Sequence, residues 1–130
     1  MERAEFEGPL EELCLKEKIG VIGYSSLASG FLTGQCRTRA DMEGRVRGAR
    51  VEKYLNNYSF RVIKALDDVA ARYNAKPGQI ALAWLIARPR VTAPIASATN
   101  MGQMAELVKA AEITLDAAAM QQIDEASKPR

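Results

Sequence analysis

Val21-Ile22-Gly23-Tyr24-Ser25-Ser26-Leu27-Ala28-Ser29-Gly30-Phe31-Leu32-Thr33-Gly34 is the stretch on which the reading of this chain turns. An apolar run passes directly into small hydroxyl-bearing and glycine residues, the composition that lets backbone amides come close to a phosphate. Further along, Thr92-Ala93-Pro94-Ile95-Ala96-Ser97-Ala98-Thr99-Asn100 repeats the design. Two strand-to-loop units of this kind predict the rim of a parallel α/β barrel, where ligands sit at the carboxyl ends of the strands.

The segments around these units divide into helices. Pro9 at a first helical position, with Leu10, Leu13 and Cys14 on one face, predicts a helix over 9–18. The apolar run 19–24 then reads as a buried parallel strand. Residues 25–57 lack a period and carry many Arg and Gly, which marks a binding loop or lid. Val62, Ile63, Leu66, Val69, Ala70 and Tyr73 recur at helical spacing, with Ser59 as the expected cap and Asn74 as the end. Pro77 opens a second helix whose 80–87 stretch is apolar nearly all round, so it is expected to be heavily buried until Arg88-Pro89 stops it. Residues 91–96 predict a second buried strand. Asn100 or Thr99 caps a helix carrying Met104, Leu107, Val108 and Ala111; Asp116 caps the last, with Leu115 and Met120 as a hydrophobic staple. Two parallel strands with about five helices make a poor sheet on their own, which predicts a piece of a larger α/β fold.

Composition narrows the function classes. The chain has 130 residues, of which 48% are hydrophobic and 26% charged, as in an ordinary globular domain. The net charge of +2 gives no reason to expect nucleic acid or a membrane surface as a partner. Arg37, Arg39, Arg45, Arg47 and Arg50 form the one local basic patch, read either as a solvated loop or as an anion-contacting one. Cys14 on the apolar helix face reads as a core residue and Cys36 as a loop residue, and two cysteines make no disulfide framework. The charged start and the absence of a membrane-length apolar run point to a reducing, cytoplasmic setting. The chain has no histidine, and no residue is assigned to a metal.

Taken together, residues 21–34, the run Ile80-Ala81-Leu82-Ala83-Trp84-Leu85, the stretch from Val91 to Glu106 and the ending Leu115-Asp116…Ile123-Asp124 resemble the aldo-keto reductases over nearly the whole chain. The resemblance implies a (β/α)8 barrel that transfers hydride from NADPH to an aldehyde or ketone. Residues 1–130 would then be a single partial domain, from about the end of the sixth strand through the eighth and the C-terminal helix. It implies that Tyr24 stacks on the nicotinamide, and that Ser25, Leu27, Ala28 and Ser29 line the pyrophosphate, with Gly30 to Gly34 continuing the cofactor loop over it. Ser97 and Thr99 would contact the ribose 2′-phosphate, with Gln103 and Glu106 at the adenosine end and one of Arg45 or Arg47 adding to phosphate neutralisation. Gln35 stands where relatives often have Lys, Leu107 where an Asn commonly binds adenine, and Ser26 where Pro is frequent, a change expected to matter little. The catalytic tetrad of the family lies on strands that this segment does not match, so no catalytic residue is assigned and the chain alone is expected to be inactive. The alternative expectation is a non-catalytic module that self-associates through exposed strand edges.

Overall fold

Pro77 at the first position of a helix, Asn56 and Asp116 just ahead of two others, and Asn74 in the left-handed region show where the chain turns from loop to helix and back. The computed structural model describes residues 3–44 and 48–128. Along it run α1 (Pro9–Lys16), β1 (Ile22–Gly23), α2 (Gly48–Val51), α3 (Asn57–Arg72), α4 (Pro77–Ile86), β2 (Ala93–Pro94), α5 (Met101–Ala110) and α6 (Ala117–Ala126), with short 3₁₀ segments at Ala28–Thr33, Ala40–Met42 and Glu52–Tyr54. The order of major elements is the one the sequence predicts. None of the described helices is long and apolar enough to cross a membrane.

The core lies between α3, α4 and α6. Along α3, Val62, Ile63, Leu66, Val69 and Ala70 form one apolar stripe, packed against Ile80, Ala81 and Ala83 of α4 and Ala119 and Ile123 of α6. The cap of α3 is Asn56, whose side-chain oxygen accepts from Ser59 N (2.9 Å); the expected cap, Ser59, lies inside the first turn and is buried. At the other end Asn74 takes a left-handed conformation with φ 49° and closes the helix as expected. Asp116 caps α6 by accepting from Ala119 N at 2.7 Å, while its own N–H donates to the Tyr73 hydroxyl. Leu115 and Met120 both pack on the core beside it.

Two side chains of α3 finish the far end of α6. Tyr58 donates its hydroxyl to Ser127 O at 2.9 Å, and Arg61 Nε donates to Ala126 O at 3.0 Å, so carbonyls left over at the helix end are met. Burial raises the Tyr58 phenol above its ordinary range, which keeps it a donor.

The strands depart from expectation. β1 and β2 pair in parallel over only two residues each, with Ile22 opposite Ala93 and Gly23 opposite Pro94. Neither is buried: Ile22 is 60% exposed, and Ile19 and Ile95 are also open. The run of apolar residues was read as burial on both faces, but among the described residues each strand has one neighbour and one bare edge. Helix α1 likewise stops at Lys16 rather than 18 and buries none of its residues; Leu10 and Leu13 are half-exposed, and Cys14 is half-buried rather than in the core. Helix α4 is buried as far as Ala83, but Ile86 emerges into solvent. Cys36 moves the other way, from an expected loop position into the core cluster. The stretch 25–57, expected to be loop, contains α2 and the three 3₁₀ segments.

Candidate functional site

Both loop units leave the sheet at the same end, one from Gly23 and the other from Pro94, because β1 and β2 run parallel in register. The first unit turns sharply. Ser25, Ala28, Ser29 and Gly30 all have positive φ (62°, 50°, 59° and 100°), whereas Leu27 between them has a negative φ of −104°. Alternation of this kind aims successive amides at one side of the chain and favours an anion there. Two of those amides are used within the turn: Ala28 N donates to Ser25 O at 2.7 Å and Gly30 N to Leu27 O at 2.9 Å. The hydroxyls of Ser25 and Ser29 have no hydrogen-bond partner among the described residues, which leaves them able to meet a ligand.

The loop is fixed from beneath. Phe31 is fully buried, with its ring 5.6 Å from that of Tyr54 and 6.3 Å from that of Phe60. Gly34 closes the segment at φ 77°, and a Cβ there would come within 2.9 Å of the Arg37 guanidinium. That guanidinium makes a two-pronged pair with Asp67 on α3 (2.7 and 2.9 Å) and donates from Nε to Gly34 O at 3.0 Å. Its hydrogen bonds to Asp67 hold it above the ordinary range of an arginine. Arg39 pairs with Glu52 at 3.2 Å. The basic patch is therefore partly spent on internal pairs; Arg45 and Arg47 lie outside the described residues.

Tyr24, at the end of β1, is 87% exposed, so its ring offers an open face. It and Ser25 line the mouth of a cleft of about 600 Å³ whose walls are Phe6, Val21, Ile22, Trp84 and Leu85. The second loop unit lies apart from that cleft. Asn100 Oδ1 accepts from Gln103 N and caps α5, while Thr99 donates from both N and Oγ1 to Gln103 Oε1 (2.8 and 2.9 Å). Ser97 is exposed, and its hydroxyl has no partner among the described residues. Glu106 pairs with Lys76, and its backbone carbonyl accepts from Gln79 Nε2 at 3.2 Å. Leu27 and Ala28 face inward as packing residues: Ala28 is buried and Leu27 lies near Gly78 at the start of α4.

Three arrangements escaped the sequence reading. Ser26 sits under the strand ends with its hydroxyl bonded to Gly23 of β1 and to Ile95, the residue just after β2. Lys76 neutralises Glu106 from another helix. The largest is a network at the back of the cleft. Asp124 Oδ1 accepts from Trp84 Nε1 (3.1 Å) and faces Arg88 (3.0 Å) and Arg3 (3.5 Å). Glu7 bridges the same two arginines at 2.6 and 3.1 Å, and both guanidinium groups lie over the Trp84 ring. Only the Arg3–Glu7 spacing, four residues, was visible in sequence; the other partners are brought together because α4 and α6 both pack on α3.

Comparison with known sequences decides the lineage. The sequence model of the Aldo/keto reductase family matches residues 3–128. This chain belongs to the aldo/keto reductase family. Among aldo/keto reductases and related oxidoreductases, it is 35% identical over 113 residues to "Uncharacterized oxidoreductase Rv2298" of Mycobacterium tuberculosis, covering 83% of this chain and 33% of that protein. It is 31% identical over 99 residues to "Uncharacterized oxidoreductase YrpG" of Bacillus subtilis, covering 75% and 29%. It is 29% identical over 116 residues to "Aldo-keto reductase yakc" of Schizosaccharomyces pombe, whose full name carries NADP(+), covering 87% and 34%. The chain thus spans about a third of the length of these relatives. For an aldo/keto reductase the parallel β1–β2 pair with its flanking helices is a slice of the (β/α)8 barrel that the family implies.

Proposed function

We propose that this aldo/keto reductase segment forms the pyrophosphate- and adenosine-binding part of the cofactor site of an NADP(H)-dependent oxidoreductase that reduces small aldehydes or ketones to alcohols. The observation that supports this most is the placement of two loop units side by side at one end of a parallel strand pair, where such folds bind ligands. The donor set suits a dinucleotide. Ser25 and Ser29 would meet the pyrophosphate on a turn with Gly30 at its tip, and Ser97 would meet the ribose 2′-phosphate, joined by Thr99 when it gives up its bonds to Gln103 Oε1. Gln103 would hold the adenosine end. Glu106 is suited to the same end because Lys76 offsets its charge beside a phosphate. Tyr24 presents a bare ring to a planar group. The nicotinamide supplies the hydride; in this reading the chain binds and orients it, and no residue here donates the proton.

A fluorescence titration of the 130-residue chain with NADPH tests this. Saturable binding is expected, together with no aldehyde-dependent loss of NADPH absorbance. Thr99→Ala combined with Gln103→Ala should weaken binding by about 1.5–3 kcal/mol for each charge-assisted bond lost. A folded chain that does not bind NADPH overturns the proposal.

The bare strand edges and the open faces of Ile22, Ile95 and Met101 favour a second reading, in which the chain associates with itself through those edges. A monomeric mass by light scattering would overturn that one. Cys14 and Cys36, both free thiols, suit the reducing cytoplasm proposed as its location.

A further inference from the structure

Among the described residues, Ser26 is the one polar side chain that joins the end of β1 to the residue just after β2, where the two loops depart. Its hydroxyl donates to Gly23 O at 2.9 Å and accepts from Ile95 N at 3.0 Å. It is buried, and the positive φ of Ser25 just before it turns the chain so that the side chain reaches back under the strand ends. The neighbouring backbone bond, from Ile95 N to Gly23 O, is longer at 3.3 Å. Sheet pairing here covers two residues per strand, and although both loop units also rest on α4, Ser26 is the side chain that ties them directly where they leave the sheet.

We propose that Ser26 is a positioning residue which sets the spacing between the 24–30 loop and the 95–99 loop, so that one dinucleotide can reach both. The inference rests on the cofactor reading above. A proline at this position would have neither the hydroxyl nor a backbone N–H. Ser26 therefore carries a link that the sequence reading expected to matter little. A ligand held by only one loop is indifferent to the spacing; a ligand held by both is not.

The test compares two probes on the wild-type chain, Ser26→Ala and Ser26→Thr. NADPH spans both loops, whereas adenosine 2′-phosphate reaches only the second. Ser26→Ala is expected to raise the NADPH Kd about fivefold, the scale of one lost neutral hydrogen bond, and to leave the adenosine 2′-phosphate Kd unchanged. Ser26→Thr, which keeps the hydroxyl, should restore NADPH binding. Amide exchange at Ile95 should quicken in the alanine variant while amides of α3 keep their protection. If Ser26→Ala weakens both probes equally, or neither, the positioning role is overturned while the cofactor reading stands. If the wild-type chain binds neither probe, the cofactor reading itself falls and takes this role with it.

Discussion

Ile80 and Ile22 are the same residue type in opposite surroundings: the first, on α4, is fully buried, and the second, on β1, is 60% exposed. Around Ile80, α4 and α6 both pack on α3; Asn56 and Asp116 cap the starts of α3 and α6, and Tyr58 of α3 meets a carbonyl at the end of α6. Around Ile22 two short strands share a few backbone bonds and one serine hydroxyl. The helical side holds most of the core, and the strand side, which holds the proposed cofactor loops, leans on it through Phe31 and Arg37. A region with few buried contacts and bare backbone is the one expected to open first.

The strongest way to break that contrast is to empty the core. Phe31→Ala should cost about 3–5 kcal/mol and Leu66→Ala about 2–5 kcal/mol, since both side chains are fully enclosed and their loss leaves a cavity. Thermal or urea unfolding followed by circular dichroism measures this. Phe31 has a further consequence that Leu66 lacks. It roots the loop, so its loss should weaken NADPH binding even at temperatures where the helices remain folded.

A smaller effect is expected at Asp124. Its carboxylate gathers Arg3, Arg88 and the Trp84 N–H, so Asp124→Ala leaves the Trp84 N–H without its acceptor and the two arginines with Glu7 as their shared carboxylate. A loss of about 1–3 kcal/mol follows, with the segment before α1 detaching from α6. Proteolysis near residues 3–8 would report that detachment. An unchanged melting temperature and an unchanged cleavage rate would mean the network adds nothing.

How much of this was legible in sequence follows from the range of the forces involved. Caps and helix spacing act within one or two turns, so α3, α4 and the Asp116 cap could be read directly, and the cap of α3 was missed by three residues, at Ser59 instead of Asn56. The strands could not be judged in the same way. An apolar run such as 19–24 records the surroundings for which it is suited, and burial depends on which elements cover it. Only Ile22's actual neighbours reveal that it is exposed. The candidate site divides likewise. The loop composition was legible, whereas the Lys76–Glu106 pair and the Ser26 link join residues far apart in the chain and depend on the fold having formed.

Acid separates the two regions more gently. Asp116 has its carboxyl held below the ordinary value of 3.8, chiefly by the hydrogen bond from Ala119 N. A carboxyl lowered on folding stabilises the native state above its unfolded value, and the contribution is lost as pH falls from there through the folded value. Melting temperature should therefore decline on acidification below about pH 4, with α6 amides losing protection before those of α3. In Asp116→Asn, which keeps an N-cap oxygen but does not titrate, that part of the decline should be absent. An identical acid slope in the two proteins would show that the cap contributes no pH dependence.

The smallest effect is expected at Ile22, and it bears most directly on the contrast. A side chain this exposed has little area left to lose, so Ile22→Ala should change stability by no more than about 0.5 kcal/mol. The number is informative because β1 has a bare edge and an open apolar face. If that surface is covered in solution by a second copy, the same substitution removes buried area from the contact. Its cost would then exceed that of an exposed site and would grow with protein concentration, because association stabilises the folded chain by mass action. Melting curves at two well-separated concentrations, for wild type and Ile22→Ala, distinguish the cases. Coincident curves leave the strand side as an open face resting on the helical core. Curves that separate with concentration would mean that Ile22 and Ile80 differ only until the chain finds its partner.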